Sequence, residues 1–236
     1  MVDFSKIAVI GSGSWATALV KILCENNTTV GWYIRNKAIH EHLLNEGHNP
    51  NYLSSVGFNI PQLDLYTNLD EIVSQYDVFV LAIPSFYLDS SLETLTESLE
   101  NKIVFSAVKG IVPEQKMLVG AYLSAKYNVP ESNLGVIAGP CHAEEVALER
   151  LSYLTIACSK KSLAKTVCLD FSNKYIKTKV SDDVIGIEYS SMLKNIYAIA
   201  AGIAHGLGYG DNFQSVLMSN AIREIKRFIK KKYKIK

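Results

Sequence analysis

The stretch Lys6-Ile7-Ala8-Val9-Ile10-Gly11-Ser12-Gly13-Ser14-Trp15-Ala16-Thr17-Ala18-Leu19 decides the fold. Ile7 to Ile10 is an apolar, largely β-branched run of the length of a buried strand. It leads into the spacing Gly-x-Gly-x-x-Ala at Gly11, Gly13 and Ala16, after which Ala18, Leu19, Ile22 and Leu23 recur at helical spacing. Each small residue has a physical role in a strand–turn–helix that cradles a diphosphate. Gly11 permits a tight turn, Gly13 lets a pyrophosphate approach the backbone, and Ala16 lets the helix pack closely on the sheet. The diphosphate would rest on free N–H groups at the positive end of the helix. Strand, turn and helix in this order favour a dinucleotide site over a merely structural glycine turn.

The composition is that of a globular chain, with a hydrophobic fraction of 48% and a charged fraction of 20% over 236 residues. That length admits one large domain or two modest ones. No apolar run approaches the roughly 18 residues of a membrane span. Met1 to Lys6 runs straight into the first strand, which leaves no room for a signal peptide and points to the cytoplasm. Cys24, Cys141, Cys158 and Cys168 form no C-x-x-C pair and have no His at zinc-ligand spacing. They read as reduced thiols, and no metal is implied. Residues 226–236 carry seven positive charges and no negative one; without them 17 basic residues face 23 acidic ones, a net of −6. Such a run suits nucleic acid or anionic lipid, but a solvated helix end is the preferred reading, so no nucleic-acid partner is expected.

Thr28 to Ile34 reads as a second strand, followed by Arg35 and Asn36. An acid at this point commonly holds a ribose 2′-hydroxyl. Arg35 instead suits a 2′-phosphate or stacks on adenine, so NADP is allowed alongside NAD; a surface arginine at a strand end is the alternative. Lys37 to Asn45 is helical, and His48-Asn49-Pro50-Asn51-Tyr52-Leu53 is loop. Asp77 to Ile83 is a strand ending in Pro84-Ser85, and residues 86–99 suit a helix. Lys102 to Val108 is a strand ending in Lys109-Gly110, Pro113 to Lys126 is helical, and Leu134 to Ala138 is a strand ending in Gly139-Pro140-Cys141. Tyr153 to Cys158 and Tyr175 to Val180 flank a helix at 161–172. Strands alternating with helices imply parallel crossovers and a doubly wound sheet, with ligands beyond the carboxyl ends of the strands. Gly11, Pro84, Lys109 and Gly139 all fall there.

After Asp182-Asp183 the pattern becomes wholly helical. Val184 to Ala204 has apolar residues on more than one face, with Lys194-Asn195 in its middle. Lys194 is either a functional or paired lysine within an apolar helix, or one on an exposed stripe with Glu188 and Ser191. Asn212 to Lys232 forms a further helix with an apolar stripe at Ile222, Ile225 and Ile229. The fold class is therefore α/β: a doubly wound Rossmann-type sheet in residues 1–181, then the start of an all-α domain in residues 182–236.

With these motifs assembled, the chain resembles the bacterial NAD(P)-dependent glycerol-3-phosphate dehydrogenases. The resemblance rests on Gly11-x-Gly13-Ser14-Trp15-Ala16-Thr17-Ala18, Val108-Lys109-Gly110, Gly139-Pro140-Cys141-His142-Ala143-x-Glu145 and Lys194-Asn195, and runs from residue 5 to about residue 228. It implies that Ser14, Trp15, Arg35 and Ala143 contact NADPH or NADH, along with Gly11, Gly13 and Ala16. Lys109 would hold cofactor and substrate together, and Gly139 and Cys141 would line the substrate phosphate region. Lys194 would be the catalytic acid/base, with Asn195 beside it. Relatives often carry Ser or Thr where Cys141 stands, a stronger hydrogen-bonding side chain.

The implied reaction is reversible reduction of dihydroxyacetone phosphate to sn-glycerol 3-phosphate, feeding glycerophospholipid synthesis, in a protein that admits a homodimer. Relatives continue with further helices bearing a Gly-Leu-Gly-Asp-Leu segment and an Arg-Asn pair, neither of which is present here. A truncated, frame-shifted or fragmentary C-terminal domain is the expectation. Two other readings stand beside this one: a related small hydroxy-acid dehydrogenase, and a non-catalytic dinucleotide-binding remnant.

Overall fold

In the computed structural model, which describes residues 6–26 and 29–233, the apolar runs assemble into one eight-stranded sheet. Its strands are β1 (Lys6–Ile10), β2 (Thr29–Tyr33), β3 (Leu63–Tyr66), β4 (Val78–Leu81), β5 (Ile103–Ser106), β8 (Leu134–Ala138), β9 (Ser152–Cys158) and β10 (Ile176–Ser181). The missing numbers are a small hairpin, β6 (Ile111–Val112) and β7 (Met117–Leu118), paired antiparallel. The strand order is β10-β9-β8-β5-β4-β1-β2-β3. Pairing from β3 through β8 is parallel throughout. Thr28, assigned to the second strand from the sequence, lies outside the described residues.

Strand pleat sends alternate residues to opposite faces, and both faces here are apolar. On one face Ile7, Val9, Trp32 and Phe105 pack beneath α1 (Ser14–Cys24), α2 (Lys37–Glu46), α6 (Ala143–Ala147) and α7 (Lys161–Phe171). On the other, Ala8, Ile10, Phe79 and Val104 pack beneath α3 (Leu69–Gln75), α4 (Ser85–Leu92) and α5 (Val119–Tyr127). The strands nearest the middle of the sheet are therefore fully buried, which fixes where their carboxyl ends sit.

Four departures from the sequence-based expectation have physical causes. The helix expected at 86–99 stops at Leu92: the Asp70 carboxylate accepts hydrogen bonds from the Thr96 and Glu97 N–H groups, so those donors are taken from helix continuation. The helix expected from Pro113 begins only at Val119, because Pro113 opens a reverse turn in which Lys116 N–H donates to the Pro113 carbonyl and Lys116 adopts φ +51°. The sheet is not wholly parallel. β9 runs antiparallel to β8, the connection between them holding only the five-residue α6 rather than a full crossover, while β10 is parallel to β9. Finally, β3 and α3 add an edge strand and helix in a region without a strong periodic signal.

The chain divides into two compact units, Met1–Val184 and Ile185–Lys236. The second is a helical hairpin of α8 (Val184–Gly206) and α9 (Asp211–Tyr233), turned by Gly208 at φ +83°. Its helices are joined by Gln214 Nε2 donating to the Ala201 carbonyl (3.1 Å), Tyr197 donating to Glu224 (2.8 Å) and the Tyr233–Tyr189 hydroxyl pair (3.0 Å). The α9 stripe is partly corrected: Ile229 is buried and Ile225 half-buried, but Ile222 is exposed and Ala221 takes the inner position. The basic segment is helical and its basic side chains are exposed as far as they are described, and residues 234–236 lie outside the described residues.

Candidate functional site

The order of the parallel strands reverses between β1 and β4, and the cleft at this switch point is where ligands bind in such sheets. It is an open cleft of about 380 Å³, walled by the Gly11-Ser12-Gly13 turn, by Tyr33, Arg35 and Asn36 after β2, by Asn51 and Tyr52, and by Ala82, Ile83 and Pro84 after β4.

The turn is built for close approach. Gly11 sits at φ +130°, and a Cβ there would lie 2.5 Å from the Ala82 carbonyl oxygen, so only glycine fits. Its N–H donates to the Tyr33 carbonyl (3.2 Å), and its own carbonyl accepts from Trp32 Nε1 (2.7 Å). Gly13 differs: a Cβ would meet no protein atom within 4 Å. The chain leaves that space empty at the N-terminus of α1, whose first-turn N–H groups have no partner within the helix. Gly13 caps α1 with extended backbone and no side-chain cap, which suits a diphosphate on those donors. Ala16 is fully buried and lets α1 sit close on the sheet.

Arg35 is exposed where β2 ends and lines the cleft. Trp15, in the first turn of α1, has Lys109 over its ring, with Nζ 5.2 Å from the ring centroid. The fold thus joins two residues 94 positions apart that the sequence placed in one site. The Trp15 indole nitrogen is buried and, among the described residues, has no hydrogen-bond partner.

Gly139 packs so tightly that a Cβ would overlap the Tyr153 carbonyl. Cys141 is buried, and its thiol donates to that same carbonyl (3.2 Å). Burial pushes the thiol up from its ordinary range, against smaller opposing pulls from hydrogen bonding with Ser152 and Tyr153 and from the Lys109 charge. Cys141 therefore stays a neutral thiol. Ala143 opens α6 and is buried where α6 meets α1.

Lys194 and Asn195 lie on α8 in the second unit, and both are exposed. Of the two readings of Lys194, its exposure agrees with a lysine on a solvent-facing stripe, but Glu188 and Ser191, expected on that stripe, are buried.

The sequence reading missed Trp32 and Asn49. Trp32 pins the glycine turn, and its position inside β2 carries no local mark. Asn49 is a fully buried polar side chain inside a stretch whose composition reads only as loop. No group of three or more His, Cys, Asp or Glu residues fit to hold a metal occurs among the described residues.

The model for the N-terminal portion of NAD-dependent glycerol-3-phosphate dehydrogenase matches residues 6–164, and that for the C-terminal portion matches residues 183–235. The chain belongs to the NAD-dependent glycerol-3-phosphate dehydrogenase family. It is 36% identical over 226 residues to glycerol-3-phosphate dehydrogenase [NAD(P)+] of Listeria monocytogenes serotype 4b, covering 94% of this chain and 66% of that relative. The corresponding protein of Limosilactobacillus reuteri is 35% identical over 228 residues, with 94% and 67% covered. The chain thus spans about two thirds of the length of the relatives it matches. Among solved structures, glycerol-3-phosphate dehydrogenase of Plasmodium falciparum superposes with a TM-score of 0.87 at 27% identity, covering 97% of this chain and 67% of that one. That of Coxiella burnetii gives 0.82 at 26% identity, covering 95% and 68%. No helix among the described residues is long and apolar enough to cross a membrane.

Proposed function

We propose that the chain binds NADPH or NADH in residues 1–181 and reduces dihydroxyacetone phosphate to sn-glycerol 3-phosphate, reversibly, using residues 182–236 as the first part of a helical substrate domain. The observation that carries this reading is the Gly11-Ser12-Gly13 turn, whose Cβ-free face at Gly13 opens at the head of α1 in the switch-point cleft. That space fits a diphosphate. Family membership supports the rest of the assignment.

Gly11, Gly13, Ser14, Trp15 and Ala16 would hold the pyrophosphate end of the cofactor, with Arg35 toward its adenosine ribose and Ala143 as a further contact. When bound, the nicotinamide supplies the hydride delivered to the C2 carbonyl carbon. That delivery leaves negative charge on the carbonyl oxygen. The Lys194 ammonium would donate a proton there and, in the reverse direction, its neutral amine would take it back. Asn195 orients the same oxygen. Lys109, held over Trp15, supplies positive charge between cofactor and substrate phosphate, while Gly139 and Cys141 shape the wall beside it. The product would feed glycerophospholipid synthesis in the cytoplasm, and a homodimer is the assembly proposed.

The test is NADPH oxidation by the purified chain in the presence of dihydroxyacetone phosphate. Lys194→Ala should lower kcat by about 10²–10⁴-fold, the usual contribution of a positioned acid or base, with cofactor affinity nearly unchanged. A variant that turns over normally would remove Lys194 from the chemistry. NADPH binding without turnover in the unaltered chain would instead support a dinucleotide-binding module.

A further inference from the structure

We infer that Asn49 is the positioning residue that sets the shape of the pyrophosphate turn and couples it to the cleft's outer rim. The inference rests on the dinucleotide reading of the cleft.

Asn49 is fully buried, and its side-chain amide is fully engaged. Nδ2 donates to the Ser12 carbonyl (3.0 Å) and to Thr17 Oγ1 (2.9 Å). Oδ1 accepts from the N–H groups of Asn51 (3.0 Å) and Tyr52 (3.3 Å). Thr17, also fully buried, passes its own hydroxyl hydrogen to the Gly13 carbonyl (3.0 Å). An amide has two N–H donors and two lone pairs on oxygen, and here all four are used. Through them one side chain holds the carbonyls of Ser12 and Gly13 directed back into the protein, which turns the N–H side of the turn toward the cleft. The same side chain shapes the Asn51-Tyr52 segment that forms the opposite rim.

A hydroxyl or carboxylate cannot reproduce this pattern. An ionised carboxylate would face the Ser12 carbonyl with no hydrogen to give, and a buried acceptor pair of that kind carries a large penalty. Nothing in this network touches Arg35, so its loss should act on the shared diphosphate and not on the ribose 2′-position.

The experiment measures Kd for NADPH and NADH by fluorescence titration in the full chain, with thermal melts to verify folding. Asn49→Asp should weaken both cofactors by the same factor, about 10- to 100-fold, the equivalent of one or two lost hydrogen bonds. Relative to the unaltered chain at each pH, the deficit should shrink as pH falls, because the variant's carboxylate regains a donor hydrogen on protonation. Melts taken at each pH separate this from a loss of fold, which would lower the melting temperature in parallel with the binding deficit. Thr17→Val keeps shape and removes the hydroxyl, so it should weaken both cofactors in parallel even if Asn49→Asp fails to fold, whereas Thr17→Ser should restore near-normal affinity. Folded variants that bind as the unaltered chain does, or that lose only NADPH, overturn the role of Asn49 and leave the dinucleotide reading in place. Failure of the unaltered chain to bind either cofactor overturns that reading and this inference together.

Discussion

Arg35 follows β2 where an acidic residue would reject a 2′-phosphate, and it lines the cleft with its side chain exposed. A guanidinium there offers planar, bidentate donors to a phosphate and a flat face to adenine. Charge reversal separates those roles. Arg35→Asp should weaken NADPH by at least about tenfold more than NADH, a difference of about 1.4 kcal/mol, because a phosphate meets a carboxylate while a ribose hydroxyl gains an acceptor. Titration of the two cofactors against both proteins checks it, and equal losses would assign Arg35 to adenine stacking. At this scale legibility followed the covalent chemistry. Gly11 and Gly13 announce themselves because glycine alone tolerates the φ of one and leaves the space beside the other. Asn49 does not, since asparagine is common in loops and only the tertiary fold reveals that it is buried with its amide saturated.

Helix α1 does more than present its N-terminus. At its other end Lys21 reaches Glu25 Oε1 (2.6 Å), Glu149 Oε1 (3.3 Å) and the Tyr175 hydroxyl (2.9 Å). Asn173 Nδ2 also donates to Glu25 (2.8 Å). Burial works against the Lys21 charge, but the hydrogen bonds it donates to Glu25 and Tyr175 outweigh it and hold the ammonium above the ordinary lysine range. The cluster ties α1 to the segments that precede β9 and β10 and so keeps the helix that carries the turn in register with the far side of the sheet. Lys21→Met retains the stem and deletes the charge, leaving the partners half-satisfied. It should cost about 1–3 kcal/mol, read as a lower urea midpoint with an unchanged m-value; no shift in midpoint would make the cluster a surface ornament. Elements of this first unit differ in how plainly the sequence marks them. β1 and β4 are continuous apolar runs because both of their faces are covered, whereas β3 is an edge strand, Leu-Asp-Leu-Tyr, whose polar residue breaks the run. A readable signal did precede α3: Asn68 accepts from the Asp70 and Glu71 N–H groups, a cap followed by an acid three residues on. The hairpin at β6 and β7 and the reversal at β9 depend on pairing partners distant in sequence, which local periodicity cannot report.

At the scale of the whole molecule, the two units differ in how well they bury their apolar surface. The sheet unit has a covered core on each face. The helical hairpin leaves Ile196 61%, Ile199 66% and Ile203 60% exposed along α8 and Leu207 72% exposed just past its end, at spacings of three, four and four residues that form one stripe. On α9, Val216, Met218 and Ile222 are exposed as well. An apolar stripe of this extent on a soluble protein is a contact surface or a liability. The lysines of α9 cannot screen it, because their ammonium groups keep to water. Each large aliphatic side chain gains about 1.5–3 kcal/mol on full burial, so four of them offer more than the entropic cost of many associations, at the lower end of about 4–15 kcal/mol. The purified chain should therefore self-associate, with static light scattering giving a mass above 26.1 kDa that rises with concentration. Ile199→Glu with Ile203→Glu places two charges in the middle of the stripe and should return the mass toward that of the single chain. A clean monomer at all concentrations, or oligomers indifferent to these substitutions, would show that the stripe does not drive association.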